Sequence, residues 1–85
     1  MNETLMQKIE QKIQETLDTQ KIKLLSQILS VANQESFTLG IAVGRIYNAF
    51  YYQSKRILNR EPTEYEFEEF LKFLKDRKSD LVNLR

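Results

Sequence analysis

The chain has no cysteine, no histidine and no tryptophan, and it has only one proline and two glycines. Without Cys and His, the thiolate nucleophile, the usual zinc ligands and the commonest general base are all missing. Disulfides are excluded as well, which fits a reducing compartment. No stretch approaches the ~20 apolar residues of a membrane span, and no apolar leader opens the sequence. Gly40 and Gly44 are not followed by the Gly-Lys-Ser/Thr of a phosphate loop. These absences predict a cytoplasmic, non-enzymatic protein with no catalytic residue, cofactor, metal site or membrane contact. The acidic residues leave one opening for chemistry, in the pairs Glu64/Glu68 and Glu66/Glu69. We read them as a solvated helix start that complements the helix dipole, the other reading being an oxygen-only metal or acid–base site.

Few helix breakers in 85 residues imply long helices and a single domain, 1–85. With 41% hydrophobic residues in periodic order, the chain is too apolar to be disordered. A chain of this size buries roughly 60% of its unfolded surface and is marginal alone. Helix packing or oligomerisation has to supply the rest.

Both glycines, three of the four tyrosines and no acid fall between Phe37 and Arg60. At about 100° per residue, Leu39, Val43, Ile46, Phe50 and Ile57 share one line, which predicts a core stripe. Gly40, Gly44, Tyr47, Tyr51 and Leu58 form a second row beside it. A helix apolar around most of its circumference needs neighbours on more than one side, so this is the expected central helix. Gly40 and Gly44 stand one turn apart, each costing the helix about 1 kcal/mol relative to Ala. The expected compensation is close helix packing at both, with overpacking by Gly44→Leu. Flexibility and a ligand-contact surface are the other readings.

Residues 3–34 contain neither Gly nor Pro. Met6, Ile9, Ile13, Leu17, Leu24, Ile28 and Val31 hold one line, with Gln20 as its polar member. This predicts a long first helix, bent or continuous, although Asp18-Thr19 also suits the cap of a new helix. Up to Leu17 the seam is narrow and fits either the third helix or a coiled-coil-like contact with a second copy. Beyond Gln20 a further row, Ile22, Leu25, Leu29 and Ala32, predicts packing on two sides. Asn33-Gln34-Glu35-Ser36 breaks the pattern, with Ser36 as expected N-cap of the central helix. A short connection makes the first two helices antiparallel neighbours.

The central helix is expected to end near Asn59, a residue that tolerates the left-handed conformation. Pro62 disfavours helix before it, and Thr63 with Glu66 spells a capping box. The third helix then starts near Glu64 with Phe67, Phe70, Leu71 and Leu74 as its apolar stripe. Leu81 continues that stripe, or Ser79 caps a final turn. Residues 58–66, Leu-Asn-Arg-Glu-Pro-Thr-Glu-Tyr-Glu, resemble the L-x-R-x-P-T-x-x-E segment in region three of bacterial primary sigma factors. The resemblance stops there, since Phe67 and Phe70 stand where that family has small apolar residues. It implies shared turn chemistry and no function.

The formal net charge of +1 hides an uneven distribution. Residues 37–60 carry four bases and no acid, and residues 61–71 carry five acids and no base. Arg45, Tyr52 and Arg56, with Arg60 nearby, therefore form the candidate partner surface. Either the bases are satisfied internally by the acidic helix start, or they meet a protein partner, or they hold nucleic-acid phosphates with Tyr52 as a stacking platform. The low net charge does not favour nucleic acid. The expected architecture is an all-α bundle of three main helices: a long first helix, a central apolar helix and a capped third helix. The expected role is a homodimeric interaction or assembly module, with a nucleic-acid-associated or regulatory protein as the alternative.

Overall fold

A computed structural model describes residues 1–83. Leu84 and Arg85, the end of the predicted single domain, lie outside the described residues. The fold is all-α, with helices α1 (Glu3–Asp18), α2 (Lys21–Ile28), α3 (Gln34–Leu58), α4 (Glu64–Asp76) and α5 (Lys78–Val82). At about 1.5 Å per residue, the 25 residues of α3 account for nearly all of the molecule's 39 Å long axis. It is the spine on which the other helices lie.

Side-chain contacts give the directions. The Met1 amino group meets Glu69 at 2.8 Å and Glu10 pairs with Arg77, so α1 and α4 run the same way. Phe50 stacks on Phe70, while Leu39 and Val43 lie beside Leu74 and Leu81, so α3 runs against both. The antiparallel first pair expected from the short connection is therefore present, as α1 against α3.

Each helix of that pair buries a row spaced by four. On α1 it is Leu5, Ile9 and Ile13, followed by Thr16. On α3 it is Thr38, Ala42, Ile46, Phe50 and Ser54. Rows of this spacing are the ridges that helices pack into one another's grooves. The predicted α3 stripe is thus displaced: Ile46 and Phe50 are at its centre, but Leu39, Val43 and Ile57 are only half-buried at its edge. The residues that let the helices approach are small hydroxyls and an alanine. Thr16 satisfies its own hydroxyl by donating to the Lys12 carbonyl at 2.7 Å, and Ser26 donates to the Lys23 carbonyl at 2.8 Å. This local bonding is open to Ser and Thr in helices and removes most of the cost of burying them.

Three sequence expectations need correction here. The long first helix is broken. Thr19 turns extended (φ −79°, ψ 141°) and its hydroxyl accepts from the Lys21 N–H, while Asp18 is engaged by Gln14 one turn back. The break rotates α2 so that Ile22 and Ser26, rather than Leu24 and Ile28, face the core. Second, the cap of α3 is Asn33, whose Oδ1 accepts from the Ser36 N–H at 2.9 Å, so Ser36 lies inside the helix. Ser30, at φ 51°, turns the chain between α2 and that cap. Third, α4 centres its buried side on Phe70 and brings in Phe73, leaving Phe67 and Leu71 at the rim. Leu81 is buried, but on the short α5 that follows the break at Arg77.

The α3–α4 turn is as expected. Asn59 is left-handed (φ 61°) and Thr63 with Glu66 forms the capping box, each accepting the other's backbone N–H. Glu66 also takes a fork from Arg60 at 2.6 and 3.3 Å. The Arg60 guanidinium, with the Thr63 N–H, holds the Glu66 carboxyl down to about 2 from the usual 4.5. A carboxyl depressed on folding stabilises the native state above its unfolded value and loses that contribution as pH falls toward its folded value. Glu66→Gln should therefore lower stability at neutral pH by about 1–2 kcal/mol, less than the full shift because Arg60 is half exposed. Urea titrations of both proteins should show the difference shrinking as pH falls from 4.5 toward 2. A difference independent of pH would mean that the carboxylate has no ionic role in the turn.

Candidate functional site

Of the predicted surface residues, Arg60 separates from the others. Arg60 is drawn into the α3–α4 turn by Glu66 and by the Glu61 carbonyl, to which it donates at 3.0 Å. Its partner in the acidic helix start is Glu66. Tyr51 is tied to the same turn, its hydroxyl donating to Glu61 at 2.6 Å. That bond to a carboxylate raises the phenol's pKa above its ordinary value. Lys55 lies over the Tyr51 ring, 5.5 Å from its centroid.

Arg45 and Tyr52 lie elsewhere, in a groove of about 320 Å³ between α1 and α3. Arg45 is half-buried, and Tyr52 stands 60% exposed. The opposite wall is α1, which contributes Lys8, Lys12 and Glu15. Lys12 and Glu15 approach to 3.7 Å. Among the described residues no carboxylate lies within 4.0 Å of the Lys8, Arg45 or Arg56 cations. Gln53 forms part of the lining, and its carbonyl oxygen is buried with no donor among the described residues. Tyr52 also borders a shallower depression with Asn48, Lys55 and Arg56. The two depressions therefore share Asn48 and Tyr52 in their linings.

The α1 wall was missed in the sequence. Its signal was angular: Lys8 and Lys12 are one turn apart on one side, with Glu15 beside them, whereas Glu3 and Glu10 fall on the other. The first-helix seam was read for its apolar residues alone.

A second exposed feature is apolar. Leu24, Leu25, Ile28 and Leu29 are 53%, 46%, 77% and 58% exposed. The expectation that this segment packs on two sides is not met among the described residues. One side of α2 lies on α3 through Ile22 and Ser26, and the other faces outward.

The glycines face outward too. A Cβ built on Gly40 or Gly44 meets nothing within 4 Å, so the predicted close helix packing at these residues is absent among the described residues. The physical reason is their angle. They lie across the helix from the Ala42–Ile46–Phe50 ridge, and α1 packs on the ridge.

No protein-family model matches the chain, and neither curated proteins nor solved structures returned a match. Among the described residues no helix is long and apolar enough to cross a membrane.

With open space around it and a helical φ, Gly44 should tolerate a methyl group. Gly44→Ala is expected to raise stability by roughly 0.5–1 kcal/mol, the helical penalty of glycine. A lower urea midpoint with an unchanged m-value would show that something covers this backbone.

Proposed function

We propose that the protein is a non-enzymatic helical assembly module that pairs with a second copy of itself through α2. The observation that supports this is the outward row Leu24, Leu25, Ile28 and Leu29. An eight-residue helix is too short to hold itself in water and depends on packing. This one is bounded by the extended Thr19 and the left-handed Ser30, so neither neighbouring helix extends it. Half of its apolar circumference has no partner among the described residues.

A two-fold contact would set the same row against itself, burying the four side chains in each copy at once. Complete burial of a Leu or Ile contributes about 1.5–3 kcal/mol, and these begin roughly half-exposed or more. The gross gain reaches the order of the association cost, about 4–15 kcal/mol. Lys21 and Lys23 have stems long enough to lie along apolar surface with the ammonium groups in water.

Sedimentation equilibrium at micromolar concentration tests the reading. The wild type should sediment as a dimer, and Ile28→Glu should be monomeric with its helical circular dichroism retained. A monomeric wild type, or an Ile28→Glu protein that keeps the dimer mass, overturns pairing through α2. Loss of dimer mass in Gly44→Leu but not in Ile28→Glu would instead place the interface on the open face of α3.

A further inference from the structure

We propose that the groove between α1 and α3 binds single-stranded nucleic acid, with Tyr52 as the base platform and Lys8, Lys12, Arg45 and Arg56 as phosphate contacts. None of the α2 row lines this groove, so the proposal stands or falls independently of the pairing through α2.

Two observations converge on this ligand class. The first is charge. Cations occupy both walls, and Glu15 is the one acid in the lining, already beside Lys12 at 3.7 Å. Lys8, Arg45 and Arg56 keep their charge available for a ligand, because no carboxylate of the described residues pairs with them. The second is the aromatic. Tyr52 is 60% exposed at the junction of two depressions, and phosphate-binding groups lie on either side of it. A strand that tracks the cations must pass the ring, where a base gains stacking energy whatever its identity.

The span selects an oligomer over a mononucleotide. Arg45 and Arg56 are eleven residues apart on α3. At about 1.5 Å per residue that is about 16 Å, longer than one nucleotide can bridge. An exposed ring needs an unpaired base face, which selects single strands over duplex.

Fluorescence anisotropy with labelled oligothymidylate and oligouridylate tests the proposal, the two arms separating DNA from RNA. The wild type should bind at low salt with a log K–log salt slope of about −3, from about −0.7 per phosphate at four contacts. The Lys8→Gln/Arg45→Gln double variant should roughly halve that slope. Tyr52→Ala should weaken binding roughly 5- to 150-fold, the loss expected for one stacked base, and Tyr52→Phe should restore it. The sedimentation mass and circular dichroism of each variant establish that it is folded. Absence of binding to both oligomers at low salt overturns the proposal. So does binding that Tyr52→Ala leaves unchanged, or equal competition by duplex DNA or by polyglutamate. Those results would describe a polyanion surface without a base site.

Discussion

Phe50 and Phe70 lie face to face, with ring centroids 4.3 Å apart and planes 3° from parallel, both buried. α4 has no long ridge against α3, and the aromatic side chains bridge the two helices. Tyr47 adds an edge-on contact to Phe67 at 6.1 Å and lies 6.2 Å from Phe70. Aromatic pairs are worth about 0.5–1.5 kcal/mol beyond the area they bury. Here the pair also fixes a geometry. With Phe70 held on α3, the Glu69 and Arg77 ends of α4 reach Met1 and Glu10, which sets the course of α1. α1 is one wall of the basic groove, so the groove inherits its shape from a stack on the other side of the spine.

The parts of the fold that were legible in the sequence are those decided within a few residues. Asn59, Pro62, Thr63 and Glu66 specify a helix stop and a helix start by local hydrogen bonding, and that turn forms as expected. The all-α class followed from the scarcity of breakers. Phase was harder. Met6, Leu24 and Ile28 kept the period of Ile9 and Ile13, and a continuous helix was the simplest reading of that period. One extended residue, Thr19, is enough to rotate everything after it, and its hydroxyl accepts from the Lys21 N–H. No apolar pattern carries that information.

The glycines misled for a related reason. A missing Cβ allows close approach but does not require it. The close approach occurs where Thr16, Ser26, Thr38, Ala42 and Ser54 are buried, on the opposite side of α3 from Gly40 and Gly44. Ser and Thr are easily assigned to the surface from sequence, because burying a hydroxyl is costly until it has an acceptor. In a helix the preceding turn supplies that acceptor, as Lys12 and Lys23 do for Thr16 and Ser26. Of the candidate surface residues, Arg45 and Tyr52 were placed together by their angle on α3, and the structure keeps them together. Arg60 was grouped with them by proximity in sequence, and the turn removes it.

The net charge of +1 is a poor guide to what this surface attracts. Fields at a surface are set by the nearest charges within a Debye length of about 8–10 Å, not by the sum over the chain. Several acids are engaged elsewhere: Glu66 by Arg60 and Thr63, Glu61 by Tyr51, Glu69 by the Met1 amino group, and Glu10 and Asp80 by Arg77. Glu61 and Glu66 serve the α3–α4 turn, and the others pair with the Met1 amino group or with Arg77. Their placement leaves the α1–α3 side with its cations and little to neutralise them. A nearly neutral chain therefore presents a basic groove because its folding contacts consume acids in one region while leaving bases in another. The same segregation explains why a reading by sequence blocks found the bases of α3 but not those of α1. The blocks sum around a helix, and the groove is defined by one side of each.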